Sequence, residues 1–171
     1  MADGKVEAVT AGGSSIPEVH ALLATLVAAK PGGHFAETGT AYGAGARAIA
    51  DAMDDGSTFV TVELDQDRYR QAAEHLAGTR AEIVHGRWED VLPQRAPFDL
   101  LFADGGIREA GGIDVVIPLL APGGFLVKDD MSPGGPTDGD EIREVMLRDE
   151  RLIAVEVMTT PATAAIVAAR R

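Results

Sequence analysis

The stretch HFAETGTAYGAGARAIADAM, residues 34–53, decides the fold, because a short apolar strand runs into a glycine-rich turn and then into a helix. HFAET, residues 34–38, follows the break Pro31-Gly32-Gly33 and ends close to a glutamate. Apolar residues then repeat at helical spacing as far as Met53, which predicts a helix with one apolar face. A strand, turn and helix of this kind predict a ligand at the turn.

The rest of the chain continues the alternation of strand and helix. Further strands are predicted over residues 57–64, 81–86, 98–104, 123–130, 151–160 and 163–170. Further helices are predicted over residues 17–29, 69–76, 112–120 and 139–150. Near-continuous apolar strands between amphipathic helices predict a parallel sheet covered on both faces, and the last two strands predict an antiparallel edge. We therefore expect an α/β fold with a doubly wound, mostly parallel seven-stranded sheet, in one domain over residues 1–171 with a flexible N-terminus at 1–15.

The composition excludes several classes of function. The 171 residues carry a net charge of −12, and their 15 lysines and arginines form no cluster, which disfavours nucleic acid and anionic membranes as partners. The absence of cysteine excludes disulfides and thiolate metal sites. The start MADGKVEAVTAGGSS lacks the apolar core of a signal peptide, and the run ALLATLVAA is too short to span a bilayer. We expect a soluble cytoplasmic protein that acts on a small molecule, with a homodimer left open.

The first strand ends in a motif that differs from that of dinucleotide-binding proteins. Ligands in an open α/β sheet bind beyond the carboxyl ends of the strands. Glu37, Gly39 and Gly43 form E-x-G-x-x-x-G in place of G-x-G-x-x-G. A carboxylate repels a pyrophosphate but favours a cation, so an adenosine ligand with a positively charged amino-acid end, S-adenosylmethionine, fits best. Glu63 at the second strand tip is expected to accept hydrogen bonds from both ribose hydroxyls, whereas Glu37 taken alone could simply be solvated.

The motifs ETGTAYG, VELD, VHGRWEDVLP, FDLLFADGG and LLAPGGFLVKDD resemble those of the class I S-adenosylmethionine-dependent methyltransferases, and more narrowly the catechol and caffeoyl-CoA O-methyltransferase group. The resemblance runs from about Ser15 to the C-terminus. It implies a Rossmann-like methyltransferase fold with strand order 3-2-1-4-5-7-6 and an antiparallel strand 7. It also implies that Gly86, Arg87 and Trp88 line the adenine and that Glu89 meets its amino group. The implied cofactor-binding residues are Glu37, Thr38, Gly39, Gly43, Glu63, Leu64, Arg87, Trp88 and Asp104.

The same resemblance implies a metal site at Asp104, Asp129 and Asp130, where Asp130 stands in place of the group's usual asparagine. Two like charges about 4 Å apart cost roughly 4 kcal/mol at an effective dielectric constant of 20, so converging carboxylates require a proton or a cation. Mg²⁺ or Ca²⁺ suits a site made only of oxygen ligands. Alternatively, Asp129 and Asp130 point to opposite sides, only one of them faces Asp104, and Lys128 pairs with one of the two.

The implied activity is O-methyl transfer to a small-molecule hydroxyl, with Asp104 as the catalytic residue. The group's base, a lysine, is replaced here by Ile107, and neighbouring Arg108 cannot serve because it does not deprotonate. The loops at residues 104–112 and 129–140 contain no aromatic residue, although a phenolic ring normally binds against one. The alternative is an S-adenosylmethionine-binding protein of the same fold without transfer activity, acting as a partner or regulatory subunit. A nicotinamide-dependent dehydrogenase is disfavoured by Glu37 and by the missing G-x-G-x-x-G.

Overall fold

The computed structural model describes residues 15–105, 107 and 110–171, and within them the chain alternates strand and helix. The strands are β1 (His34–Thr38), β2 (Thr58–Glu63), β3 (Ala81–His85), β4 (Phe98–Ala103), β5 (Leu120–Met131), β6 (Leu152–Met158) and β7 (Ala164–Arg170). The helices are α1 (Pro17–Ala28), α2 (Ala44–Ala52), α3 (Gln66–His75), α4 (Trp88–Val91), α5 (Ala110–Val116) and α6 (Glu141–Arg148). Short 3₁₀ helices follow α4 and α5 at Leu92–Gln94 and Ile117–Leu119. The helix predicted over residues 112–120 is thus α5 and the 3₁₀ helix after it.

The strands form one sheet in the order β3-β2-β1-β4-β5-β7-β6. Strands β1 to β5 pair in parallel, whereas β7 pairs antiparallel with both β5 and β6. This confirms the predicted doubly wound sheet, its strand order and its antiparallel β7. The chain turns from one half of the sheet to the other between β1 and β4, and ligands in such sheets bind beyond the carboxyl ends of the strands at this switch point.

Two apolar cores cover the two faces of the sheet, and successive side chains of a strand alternate between them. Phe35 packs in the core that holds Leu23 of α1 and Ile49 of α2. Its neighbour Ala36 packs in the opposite core, which holds Ile113 of α5. This alternation decides on which side of the sheet each residue at a strand tip is placed.

Side chains at helix starts fix the segments that follow the strand tips. Asp65 follows β2 and accepts hydrogen bonds at 2.9 Å from two backbone N–H groups of the first turn of α3. Asp140 precedes α6 and accepts one from the backbone N–H of Arg143 at 3.1 Å. Within the described ranges, no helix is long and apolar enough to cross a bilayer. The predicted flexible N-terminus lies, apart from Ser15, outside the described residues, and the single domain over residues 1–171 stays a prediction.

Candidate functional site

A cavity of about 770 Å³ opens at the carboxyl ends of the parallel strands. It lies at the switch point of the sheet, and its wall contains residues of β2 and β5 and residues that directly follow β1, β3 and β4. The lining residues are Gly39, Ala41, Val62, Glu63, Leu64, Asp65, Arg68, Gly86, Arg87, Trp88, Glu89, Asp104, Gly105 and Asp130. The structure therefore brings together, around one cavity, the sequence-predicted residues Gly39, Glu63, Leu64, Arg87, Trp88, Asp104 and Asp130.

The turn between β1 and α2 forms one side of the cavity with bare backbone. Gly39 has a φ of +77°, and its N–H donates a hydrogen bond at 2.9 Å to the carbonyl of Val62 in β2. A Cβ atom at position 39 would lie 2.5 Å from the Cα of Gly105 in the loop after β4. Only glycine lets these two backbones pass so closely in this conformation, so a ligand here can approach main-chain atoms directly.

Glu63, the last residue of β2, presents a fixed carboxylate to the cavity. It is 5% exposed, and its two oxygens accept hydrogen bonds at 2.8 Å from the backbone N–H groups of Ala41 and Asp65. Each carboxylate oxygen can accept a second hydrogen bond. The side chain is therefore held in place by two loops and retains acceptor capacity for a pair of ligand hydroxyls, as the sequence predicts for a ribose.

Trp88 begins α4 and forms an apolar part of the cavity wall. Its ring is 7% exposed, and its Nε1 has no hydrogen-bond partner among the described residues. Arg87, just before it, is paired with Glu89 at 3.1 Å, and Leu64 is 63% exposed beside the cavity. These side chains give the end of the cavity near β3 an aromatic and aliphatic surface with polar groups at its margin, which suits a flat heterocycle.

Glu37, the glutamate of the β1 motif, lies behind the cavity wall and is 1% exposed. Its Oε2 accepts a hydrogen bond at 2.5 Å from the Oγ1 of Thr61, which lies 2.6 Å from the Oγ1 of Thr40. Burial raises the pKa of Glu37 well above its ordinary value, against the opposing effect of the Thr61 hydrogen bond. Glu37, Thr38 and Gly43 are not among the residues that line the cavity. Their cofactor contacts therefore stay predictions.

The acidic triad of Asp104, Asp129 and Asp130 is assembled by an irregularity in the sheet. The register between β5 and β7 shifts so that Asp129 and Asp130 together face a single residue of β7, as in a β-bulge. Asp130 adopts a φ of +62° at this point. As a result, one carboxylate oxygen from each of the three residues lies within 4.8 Å of the others. The alternative in which Asp129 and Asp130 face opposite sides is wrong.

Crowding and burial change the titration of the triad. Burial, and next the negative charge of Asp129, raises the pKa of Asp104 to about 7. Burial, and next the negative charge of Asp130, raises the pKa of Asp129 to about 6. Buried Lys128 opposes both effects, but its Nζ donates at 3.0 Å to the backbone carbonyl of Asp129 and not to a carboxylate of the triad. Near neutral pH the triad therefore shares a proton or requires another cation.

The triad has the chemistry of a divalent-cation site. Its donors are carboxylate oxygens only, the ligand type that Mg²⁺ and Ca²⁺ prefer. The Oδ1 of Asp129 is buried and has no hydrogen-bond partner in the part of the chain that the structure describes. An unpaired buried carboxylate oxygen beside two further carboxylates is costly unless a cation completes the group. The residues therefore fit the metal that the family resemblance implies.

The residue at the position of the group's catalytic lysine, Ile107, belongs to the apolar core of this chain. Ile107 is 2% exposed and packs in the core that contains Ile113. A side chain directed into this core could not reach an acceptor in the cavity. Arg108, which the sequence analysis also considered, lies outside the described residues.

Five residues of the cavity wall were not named as site residues from the sequence: Ala41, Val62, Asp65, Arg68 and Gly105. Ala41 lies inside the glycine-rich turn with a φ of +49°, and its backbone N–H donates a hydrogen bond to Glu63. Asp65 and Arg68 lie at the start of α3, immediately after Glu63. The helix-start signal at Asp65 is visible in the sequence and could have placed the first turn of α3 beside the ligand.

Solved structures that are similar to this chain include O-methyltransferases. The O-methyltransferase from Bacillus cereus, in complex with SAH (S-adenosylhomocysteine), has a TM-score of 0.77 and 20% identity over 94% of this chain and 84% of that chain. The O-methyltransferase TomG from Streptomyces achromogenes, in complex with SAM (S-adenosylmethionine), has a TM-score of 0.73 and 22% identity over 92% and 82%. At these identities the similarity shows a shared fold.

Comparison at the sequence level agrees with the fold. The protein-L-isoaspartate O-methyltransferase of Pyrobaculum neutrophilum is 29% identical over 117 residues, which are 66% of this chain and 56% of that protein. The chain thus spans about half the length of the curated relatives it matches. A family model described as a methyltransferase domain matches residues 36–131, from β1 to the end of β5. The match includes the glycine-rich turn and the triad and confirms the predicted relationship to class I methyltransferases: the chain belongs to the methyltransferase-domain family.

Proposed function

We propose that this protein is an S-adenosylmethionine-dependent methyltransferase that methylates a hydroxyl group of a small molecule. The proposal depends above all on the cavity at the switch point, which joins a bare backbone turn at Gly39, the fixed carboxylate of Glu63 and an acidic end at Asp104 and Asp130. Both kinds of relative are named as O-methyltransferases, which favours an oxygen acceptor. The net charge of −12 favours a small acceptor over nucleic acid.

The cavity offers a matching surface for each part of S-adenosylmethionine. Glu63 would accept hydrogen bonds from the two ribose hydroxyls. Trp88 and the backbone at Gly86 would border the adenine. The turn at Gly39 would follow the ligand toward its methionine end, and Asp104 would face the positive charge there. Glu37, whose pKa is raised by burial, lies behind this turn, and its predicted contact with the positive methionine end stays a prediction.

The transfer chemistry needs an acceptor oxygen held in line with the methyl group. With S-adenosylmethionine bound, the acceptor oxygen forms the new O–C bond, the S–C bond breaks with its electrons left on sulfur, and the hydroxyl proton departs. Asp104 lies on the cavity wall, and without a cation beside it, its pKa of about 7 makes it able to accept that proton near neutral pH. Positioning of the acceptor supplies the rest of the rate enhancement.

A divalent cation is the finer part of this proposal. Asp104, Asp129 and Asp130 would hold Mg²⁺ or Ca²⁺, which would lower the pKa of an acceptor hydroxyl and replace the need for a basic side chain. The alternative of a cofactor-binding protein without transfer activity is less favoured, because the chain keeps the acidic residues together at the cavity although it lacks the lysine. A cytoplasmic location and a homodimer stay predictions.

Protons and divalent cations should relieve the same repulsion in the triad, and melting curves can test this. The pKa values of Asp104 and Asp129 are higher in the folded chain than the ordinary 3.8, so the folded state binds more protons than the unfolded state. Their contribution to stability therefore falls as the pH rises from about 4 to about 7. In chelator we expect the triad to lower the melting temperature over this interval, and at pH 7.5 an excess of Mg²⁺ or Ca²⁺ should raise it by mass action.

The matched variant for this measurement carries Asp129→Asn and Asp130→Asn. It should melt at the same or a higher temperature than the unmodified chain in chelator at pH 7.5, because the repulsion is gone. It should also lose the response to metal. Identical melting curves of the unmodified chain with chelator and with metal would contradict the cation site.

Calorimetry tests the proposed cofactor. We expect S-adenosylmethionine or S-adenosylhomocysteine to bind and NAD to bind more weakly, since carboxylates on the cavity wall repel a pyrophosphate. Glu63→Ala should lower the affinity at least about tenfold, because hydrogen bonds to a charged acceptor are worth roughly 1.5–3 kcal/mol each. Glu82→Ala, which removes an exposed glutamate of the neighbouring strand that is paired with Arg95, is the control and should leave the affinity unchanged. Tighter binding of NAD, or unchanged affinity in a folded Glu63 variant, would refute the proposal.

A further inference from the structure

A second cavity of about 310 Å³ lies beside the first, between the end of β5 and the start of α6. Its wall contains Asp130, Ser132, Asp138, Asp140 and Arg143, together with Met131 and the glycine and proline residues of the intervening loop. Asp130 lines both cavities, so the two meet at the acidic triad. If the first cavity holds the cofactor, the second is the space available for the body of the acceptor.

The described residues that line this second cavity carry a net negative charge. The single basic residue among them, Arg143, is already paired with carboxylates of the protein. Arg143 is 2% exposed and makes ion pairs with Glu156 and Asp140, the latter at 3.3 Å. It also donates to the backbone carbonyls of Ser132 at 2.7 Å and Gly135 at 3.4 Å. Four of the five guanidinium N–H groups are thus used within the protein. An anionic acceptor would find Asp130, Asp138 and Asp140, the last two paired with arginines, and no available cation among the described residues that line the cavity.

The shape and chemistry of the wall also disfavour a flat aromatic acceptor. No aromatic side chain is present among the described residues of the second cavity. Asp129, which lines neither cavity but precedes Asp130, is 2% exposed and carries a carboxylate oxygen without a hydrogen-bond partner in the described ranges. Carboxylates combined with exposed backbone and the Ser132 hydroxyl suit an ammonium group and several aliphatic hydroxyls.

We propose that the acceptor is a small aliphatic polyol that carries an amino group, with its reacting hydroxyl at Asp130 and its ammonium group in the second cavity. This inference rests on the proposed methyltransferase function. The transfer forms one O–CH₃ bond, breaks the S–CH₃ bond of the donor and releases the hydroxyl proton, so the products are a methyl ether and the neutral thioether. The ammonium group takes no part in bond making and serves recognition.

Three six-membered cyclitols of different charge test the inference in protein saturated with S-adenosylhomocysteine. 2-Deoxystreptamine is cationic, myo-inositol is neutral and quinate is anionic, and all three carry ring hydroxyls. Nuclear magnetic resonance titration should show 2-deoxystreptamine binding at least about tenfold more tightly than myo-inositol, and quinate binding most weakly, as expected for a negatively charged cavity. Asp138→Asn, which alters the second cavity only, should reduce the preference for 2-deoxystreptamine.

A matched control separates a local effect from a change in overall charge. Asp51→Asn also removes an exposed aspartate that is paired with an arginine at 2.8 Å, as Asp138 is paired with Arg148, but Asp51 lines neither cavity. It should leave the preference unchanged. The S-adenosylhomocysteine titration comes first, and no binding there would overturn the methyltransferase proposal itself. Binding of that ligand combined with equal affinity for the three cyclitols, no cyclitol binding at millimolar concentration, or tighter binding of catechol would overturn the acceptor inference alone.

Discussion

Replacing Gly39 by alanine is expected to abolish cofactor binding and to lower the free energy of unfolding by at least about 2 kcal/mol. Two effects add at this position. The φ of +77° is unfavourable for a residue with a Cβ atom, and that atom would lie 2.5 Å from the Cα of Gly105. The contact is with backbone and cannot be relieved by a side-chain rotation, so the turn and the loop after β4 must move apart. Denaturant unfolding and titration with S-adenosylhomocysteine measure the two consequences.

Gly78→Ala is the matched control for this experiment. Gly78 has a φ of +81°, but a Cβ atom there would have no neighbour within 4 Å. The Gly78→Ala variant should lose about 1 kcal/mol or slightly more of its free energy of unfolding, from backbone strain alone. It should bind S-adenosylhomocysteine normally. Equal losses of stability in the two variants, with cofactor affinity retained at Gly39→Ala, would show that the close approach to Gly105 does not shape the site.

Replacing Arg143 by methionine is expected to cost about 3–5 kcal/mol, because removal of one partner leaves other buried or half-buried charges uncompensated. Arg143 joins Asp140 and Glu156 and also holds two carbonyls of the loop that walls the second cavity. We therefore expect this loop to become less ordered in the variant. Chemical denaturation gives the free energy of unfolding, and amide hydrogen exchange of residues 132–140 reports the loop.

Arg148→Met provides the comparison on the same helix. Arg148 is exposed and pairs with Asp138 and Glu144 at 2.8 and 2.9 Å, so its removal should cost about 1 kcal/mol or less. A loss at Arg143 no larger than the loss at Arg148 would mean that the buried ion pairs contribute little net stability. In that event the loop would have to be held by its glycine and proline backbone.

The sequence was sufficient to predict the sheet and the strand tips, because local patterns determine both. Apolar strands end where a charged residue or glycine begins, and this places Glu63 and Asp104 at the cavity without any knowledge of tertiary contacts. The β-branched and apolar runs likewise predicted every strand. The strand order was predicted from the resemblance to the methyltransferase motifs, because the alternation of apolar and polar residues along a strand does not show which strands are neighbours.

The rest depends on contacts between distant segments. The alternation of side chains puts Glu37 and Thr38 on opposite faces of β1, but the face that borders a ligand is decided by how α2 packs, and Glu37 proves to be buried beside Gly45 of that helix. The orientation of Asp129 and Asp130 depends on pairing with β7, far along the chain. Neither placement can be predicted from a local pattern. Arg68 differs from them, because the helix-start signal at Asp65 could have placed it beside the ligand.

The bulge in β5 makes the acidic cluster a property of chain length as well as of residue type. A strand shorter by one residue between Lys128 and Met131 would pair regularly with β7 and would keep only one of the two aspartates. The remaining carboxylates would still be found by a motif search, although the cluster itself would be lost. A single insertion or deletion at the end of β5 can therefore create or remove the acidic cluster, and an alignment that ignores a one-residue gap at this place would miss the difference.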